Sequence, residues 1–452
     1  MNGKTRIRTS SAAVNTCTLC APLGASIAFK GVQEAISLLH GSQGCATYIR
    51  RYLISHYREP IDIASSSISE EATIFGGDEN LIRALENITS VYHPRVIGVA
   101  TTCLTETIGE DTESSVRRFL SRQGDEKPFV VNVSTPSYCA NYSDGFNSTV
   151  KALVATFASS GEHTNSINLL PGPLSPADYR HLKELIQIFG FQFTLLPDYS
   201  ETLDGESWTE YHHIAKGGTT VLSIKDMGRA CATLEFTVCR DKTETASEFL
   251  KGSCHVPAIR LMTPIGLDAT DEFMAVLQKL GGKNVPETIT KERGRLVDSY
   301  INAHKYCFGK KAALIGEEEL VVSIAKFLSE TGIVPVLCAS SCKKGKLRNS
   351  INTHIPEIAS SVTVIEETDY DEFGSLIRDC GTDIVIGSSK AYKSAKNADI
   401  PLVRVGFPIH DRFGGQRLLH VGYRGTQRLF DEIINTLLST SQESSDLQYG
   451  YL

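Results

Sequence analysis

INLLPGPLSPADYRHLKELIQIFGFQFTLL, residues 167–196, holds one complete repeat of the pattern that runs through the chain. The runs at 167–170 and 191–196 are short and largely apolar. Between them, Ser175-Pro176 reads as an N-cap followed by proline at the first helical position, and Gly190 closes the helix. Leu182, Leu185, Ile186 and Phe189 recur at three- and four-residue spacing, which predicts one buried helical face. Strand, helix and strand therefore follow one another. Further strands are expected at 96–100, 129–133, 312–315, 334–338, 362–365, 383–386 and 402–405, and a second clear helix at 317–331. Most of these strands are continuous apolar runs rather than alternating ones, as in parallel sheets covered on both faces.

The fold class is therefore α/β with mainly parallel sheets, in three units: 1–160, 161–302 and 303–452. The linker-like stretch at 159–165 separates the first two, and a fresh strand near Lys310 begins the third. The last residues, 439–452, are polar and are expected to form a loose tail.

Composition narrows the function. The 452 residues carry 45 Lys and Arg against 52 Asp and Glu, a net charge of −7. That balance does not suit phosphate-backbone binding, so no nucleic-acid partner is expected. No apolar run is long enough to span a bilayer, and MNGKTRIRTSS lacks the apolar core of a signal peptide. The expected location is cytoplasmic, with no membrane partner. GxxxxGK[ST], a strand-following GxGxxG and HExxH are all missing.

Twelve cysteines are scattered along the chain. In a reducing compartment most should be buried small hydrophobes. Three have distinctive surroundings. Cys20 lies before Pro22 and Gly24, which suggest a loop ahead of a helix beginning near Ala25. Cys45 follows His40-Gly-Ser-Gln-Gly44 and opens a helix expected at 46–54, where a helix N-terminus favours thiolate. Cys103 lies just past the carboxyl end of an apolar strand, where open α/β sheets bind ligands. Their separation does not fit a ferredoxin's compact run, and the single Cys17–Cys20 CxxC lacks the partner pair of a zinc ribbon. Three thiols are one short of a closed iron–sulfur site. Either an oxygen or nitrogen ligand or a second chain would complete it.

Several other groups read as structural: Cys139, the acidic pair Glu70-Glu71, His212-His213 and Cys338-x3-Cys342. Arg50, Arg51 and Arg58 could face an anionic centre, an acidic partner or water.

The ordered motifs Cys20-Ala-Pro-Leu-Gly-Ala, His40-Gly-Ser-Gln-Gly-Cys45, His56-Tyr-Arg-Glu-Pro60, Phe75-Gly-Gly77, Thr101-Thr-Cys103-Leu-Thr-Glu-Thr-Ile-Gly-Glu-Asp111 and Thr135-Pro-Ser137 resemble nitrogenase component 1, β-type subunit. Arg404-Val-Gly-Phe-Pro-Ile-His-Asp-Arg412 and Val421-Gly-Tyr-Arg-Gly425 extend the resemblance over nearly the whole chain. It implies three Rossmann-like domains and an α2β2 heterotetramer with a homologous α-type subunit. It also implies an eight-iron, seven-sulfur P-cluster shared between the two chains, with Cys20, Cys45 and Cys103 as this chain's ligands and Ser137 as a ligand of the oxidised cluster. Cys17 has no counterpart in that pattern. A separate ATP-dependent iron protein would supply electrons, which the cluster would relay to an active-site cofactor in the α-type subunit. The segments at 168–178 and 196–205, with Gly217-Gly-Thr-Thr220, are more similar to a cofactor-assembly scaffold, and the one tryptophan, Trp208, lies away from the first of them. A complete cysteine set on such a body resembles the nitrogenase-like reductases that act on small methylthio-alkanes. The alternatives are a scaffold subunit for cofactor assembly and the β subunit of a nitrogenase proper.

Overall fold

The computed structural model describes residues 17–124, 127–343 and 345–443. Among these residues thirteen strands form three sheets, and every strand pairing within them is parallel. The first sheet takes β1 (Ala35–His40), β2 (Ala64–Ser65), β3 (Val96–Thr101) and β4 (Phe129–Val133) in the order β2-β1-β3-β4. The second takes β5 (Ser166–Leu170), β6 (Gln192–Leu195), β7 (Ala232–Phe236) and β8 (Ala258–Leu261) in the order β6-β5-β7-β8. The third holds β9 (Lys311–Gly316), β10 (Val334–Ser340), β11 (Thr363–Ile365), β12 (Ile384–Gly387) and β13 (Leu402–Arg404) in the order β11-β10-β9-β12-β13. Each order reverses direction once, between β1 and β3, β5 and β7, and β9 and β12. At such a reversal the two loops leave in opposite directions and open a crevice beyond the carboxyl ends of the strands.

All nine strands expected from apolar runs are present, within a residue or two of their predicted ends. Four were not anticipated: β1, β2, β7 and β8. The expected helix at 46–54 is longer, Gln43–Tyr57, so Cys45 lies inside its first turn. The helix expected near Ala25 begins at Ala21, directly after Cys20. Pro22 occupies the first turn, where its missing N–H costs nothing, and Gly24 is helical rather than part of a loop.

Gly24 has a packing role. A Cβ at that position would lie 1.7 Å from the carbonyl oxygen of Tyr142, and one at Gly145 would lie 2.0 Å from the carbonyl oxygen of Ala21. The helices Ala21–Lys30 and Tyr142–Phe157 thus touch backbone to backbone. The first is buried along its whole length.

The predicted loose tail also needs correction. Residues 439–443 continue the helix Gly422–Glu443, and 444–452 lie outside the described residues. That helix returns to the segment after β8: the N–H of Gly422 donates to the carbonyl of Pro264 at 2.8 Å, and the Tyr423 hydroxyl donates to Asp271 at 2.6 Å. Among the described residues no helix is long and apolar enough to cross a membrane.

Candidate functional site

The reversal between β1 and β3 builds the site. Their registers pair His40 with Thr101, so the loops leading to Cys45 and Cys103 start side by side. The carbonyl of His40 binds them together, accepting from the N–H of Thr102 at 3.1 Å and from the Thr105 hydroxyl at 3.0 Å. His40 is itself fully buried, with Nδ1 2.9 Å from the Ser66 hydroxyl, and burial pushes its pKa down to about 4. It is therefore a neutral spacer. A Cβ on Gly41 would lie 2.2 Å from Thr102 Oγ1, so glycine is needed for the two loops to approach. A Cβ on Gly44 would meet nothing nearer than Ser42 Oγ at 3.8 Å, which leaves that side of the Cys45 turn open.

Cys103 is the first residue of the helix Cys103–Ile108, held by a Thr102–Thr105 capping box. Cys45 is in the first turn of Gln43–Tyr57, with the Ser42 hydroxyl 3.8 Å from its sulfur. Cys20 is the N-cap of Ala21–Lys30 and bridges by backbone to Asn141. All three thiols thus stand at helix starts, where the local dipole favours negative charge.

Ser137 connects two of them. Its Oγ accepts the N–H of Ala21 at 3.1 Å and hydrogen-bonds the Cys20 thiol, while its own N–H donates to Cys103 Sγ at 3.2 Å. Desolvation raises the Cys20 pKa, and the neighbouring Cys103 and Cys45 sulfurs push it further the same way; the Ser137 bond opposes both. The four predicted residues therefore gather at one place. Yet among the described residues no trio of His, Cys, Asp or Glu is arranged to hold a metal ion. Their exposure is graded: Cys20 is exposed, and Cys45 and Cys103 are half-buried, so the site opens to the outside of this chain. Hydrophobic side chains stand exposed on its flanks, with Tyr138 at 66% and Tyr48 at 55%.

Cys17 does not join them. It is buried in the apolar cluster of the third sheet with Ala313, Leu337 and Tyr370, and burial pushes its thiol up to about 11. Of the nine remaining cysteines, Cys17, Cys239, Cys254, Cys307, Cys338 and Cys342 are buried as expected. Cys231 and Cys380 are half-buried, and Cys139 is exposed, so the reading of all nine as buried hydrophobes is corrected for these three. Glu70 and Glu71 are exposed in the first turn of a short helix capped by Ser69. Arg50, Arg51 and Arg58 line a solvent-open groove along the Cys45 helix, with Arg50 3.6 Å from Asp62. Asp411 and Tyr423 make bonds inside the chain, to Arg404 and Asp271.

Sequence reasoning missed two contributors. Glu106 accepts from the hydroxyls of Thr101 and Ser134, both at 2.5 Å, and so ties the ends of β3 and β4. Lys390, from the turn after β12, reaches over the Tyr52 ring of the Cys45 helix at 5.6 Å. The polar run Thr101–Glu106 hinted at the first; nothing near Lys390 in sequence hinted at the second.

Fold and site together define an α/β protein of three parallel sheets that presents three thiols at one open face. The family model for "Nitrogenase component 1 type Oxidoreductase" matches residues 20–438. The nitrogenase molybdenum-iron protein beta chain of Clostridium pasteurianum is 35% identical over 432 residues, covering 94% of this chain and 93% of its own. The nitrogenase vanadium-iron protein beta chain of Trichormus variabilis is 32% identical over 448 residues, covering 96% of each. A solved chain of nitrogenase Cp1 at pH 6.5 superposes with a TM-score of 0.94 at 33% identity, over 100% of this chain and 98% of that one. The chain belongs to the nitrogenase component 1 family of oxidoreductases, as a β-type subunit.

Proposed function

We propose that this chain is the electron-relay subunit of a nitrogenase-like reductase, holding half of an iron–sulfur P-cluster through Cys20, Cys45 and Cys103. The observation that carries this reading is the gathering of three thiols at a face open to the outside of the chain, with Ser137 joining Cys20 to Cys103. A homologous α-type subunit would supply the remaining ligands in an α2β2 assembly and carry the substrate cofactor. A separate ATP-dependent iron protein would supply electrons. In this reading the unit 1–160 carries the site, while 161–302 and 303–452 serve as scaffold and subunit interface.

The donor set fits the group: sulfur ligands, helix N-termini and backbone N–H groups all favour an anionic centre. When bound, the cluster supplies one-electron storage at low potential. The chain's residues do the rest. The Ser137 N–H donates to the Cys103 sulfur and lowers its electron density. The Ser137 hydroxyl, 3.1 Å from the Ala21 nitrogen, is a candidate ligand of the oxidised state. Neutral His40 keeps an imidazolium charge away from the loops.

Replacing Cys103 with alanine, with the partner chains intact, is expected to lower iron content and turnover together. Full iron and full turnover would sink the proposal. Iron counting also separates relay from assembly scaffold: about eight irons per αβ pair against about four.

The proposed substrate class is small methylthio-alkanes, cleaved at C–S by two electrons and two protons to an alkane and methanethiol. The complete cysteine set on a body that is scaffold-like at 168–178 and 196–205 supports it. The identity to molybdenum- and vanadium-nitrogenase β chains supports a second reading, dinitrogen reduction. Supplying the purified complex with iron protein, ATP and reductant, then measuring methanethiol against ammonia, decides between them.

A further inference from the structure

We infer that Lys390 sets the reduction potential of the centre held in part by Cys20, by placing a positive charge from the third sheet near that thiol and over the helix that carries Cys45; this rests on the P-cluster reading above.

Lys390 sits in the turn Ser389–Ala391 that follows β12, at the reversal between β9 and β12. That position lies outside the carboxyl ends of the strands, so the side chain leaves the third sheet toward the first. Its surroundings show where it goes. Its Nζ lies over the ring of Tyr52 at 5.6 Å. Tyr52 is seven residues beyond Cys45, two turns along the same helix, and its hydroxyl is 3.3 Å from that of Tyr48, one turn beyond Cys45. Lys390 also shares electrostatic contact with Cys20, Cys17 and Tyr48. The turn itself is pinned: Ser388 caps it through the Lys390 N–H, and Ser389 bonds Asp411, which Arg404 grips at 2.8 Å.

The ammonium is half-buried, so water screens its field less than at a free surface. Reduction adds one negative charge to the centre, with the electron delivered by the external donor. A cation alongside stabilises the reduced form more than the oxidised one, so it raises the midpoint potential. Lys390 contacts no reacting atom; it acts through Cys20 and Tyr52, as a positioning and charge-setting residue.

The test is a mediated redox titration of the purified complex, followed by the spectroscopic signature of the cluster and by iron content. Lys390→Met and Lys390→Gln are expected to keep full iron and shift the midpoint to more negative potential. Lys390→Arg, which keeps the charge, should restore it. Tyr52→Leu, which removes the ring under the ammonium, should give a smaller shift in the same direction. An unchanged midpoint in the iron-replete Met and Gln variants overturns the assignment. If those variants lose their iron, an unchanged midpoint in iron-replete Tyr52→Leu overturns it instead, and a shifted one supports it. A wild-type complex without cluster iron rejects the function proposed above, and the role of Lys390 with it.

Discussion

Ser137 makes three bonds with one small side chain and its backbone, and each end of the site depends on it. Replacing it with alanine leaves the Ala21 N–H without its acceptor. The expected loss is about 1–2 kcal/mol of unfolding free energy, measured by urea titration of the complex. Glu317 is the other informative residue. It N-caps the helix Glu318–Thr331 and accepts from the Ser143 hydroxyl at 2.7 Å. Burial, reinforced by Glu318 and Glu319, pushes its pKa up to about 8 from an ordinary 4.5. Between those values the folded chain keeps a proton that the unfolded chain has lost, so this group makes stability fall as pH rises from 4.5 to 8 and then level off. Glu317→Gln should therefore flatten the decline between pH 5 and 8. A wild-type slope in the variant, measured by denaturant unfolding across that range, would contradict this.

Among the elements, the helix pair Ala21–Lys30 and Tyr142–Phe157 is the one with least tolerance. Gly24→Ala forces the two backbones apart and should cost about 3 kcal/mol, seen as a lowered melting temperature. Because Cys20 caps the first of these helices, the same variant should also bind less iron. This contact shows where sequence reading stops. Pro22 and Gly24 look like loop residues in isolation, and only the opposing carbonyl of Tyr142 explains the glycine. The strands divide in the same way. β3, Val-Ile-Gly-Val-Ala-Thr, announces itself by unbroken apolar character. β1, Ala-Ile-Ser-Leu-Leu-His, has a single β-branched residue and closes on a buried histidine. β7 hides a buried Glu235, whose charge is matched by the N–H and hydroxyl of Ser247 on the next helix. The three candidate cysteines stand out in the sequence because each sits at a turn or helix start, a local property. Lys390 does not, since its partner Tyr52 is distant in sequence and only the packing of one sheet on another brings them together.

At the scale of the whole molecule, His56 ties the Cys45 helix to the segment that follows β13. Its Nδ1 accepts the Ile409 N–H at 2.9 Å, which requires a neutral ring, and burial pushes its pKa down to about 3 from an ordinary 6.5. Below 6.5 the unfolded chain takes up a proton that the fold refuses, so stability is lost as pH falls from 6.5 toward 3. His56→Gln should make this acid limb shallower, by circular dichroism melts at stepped pH. His56 and Glu317 thus pull in opposite directions. Between about 4.5 and 6.5 their slopes offset, and above 6.5 the Glu317 slope acts alone.

The bonded ends of β1 and β3 carry one more consequence. Neighbouring strands in a sheet stand about 4.8 Å apart, whatever the side chains attached. The Cys45 and Cys103 loops leave from one such pair, at His40 and Thr101, so the backbone ladder is a gauge for their separation. Cys20 hangs from a helix junction outside that ladder, where the backbone contact at Gly24 holds it. The spacing of two of the three thiols is therefore set by a sheet and that of the third by a helix pair, so a substitution at Gly24 moves Cys20 and leaves the other two in register.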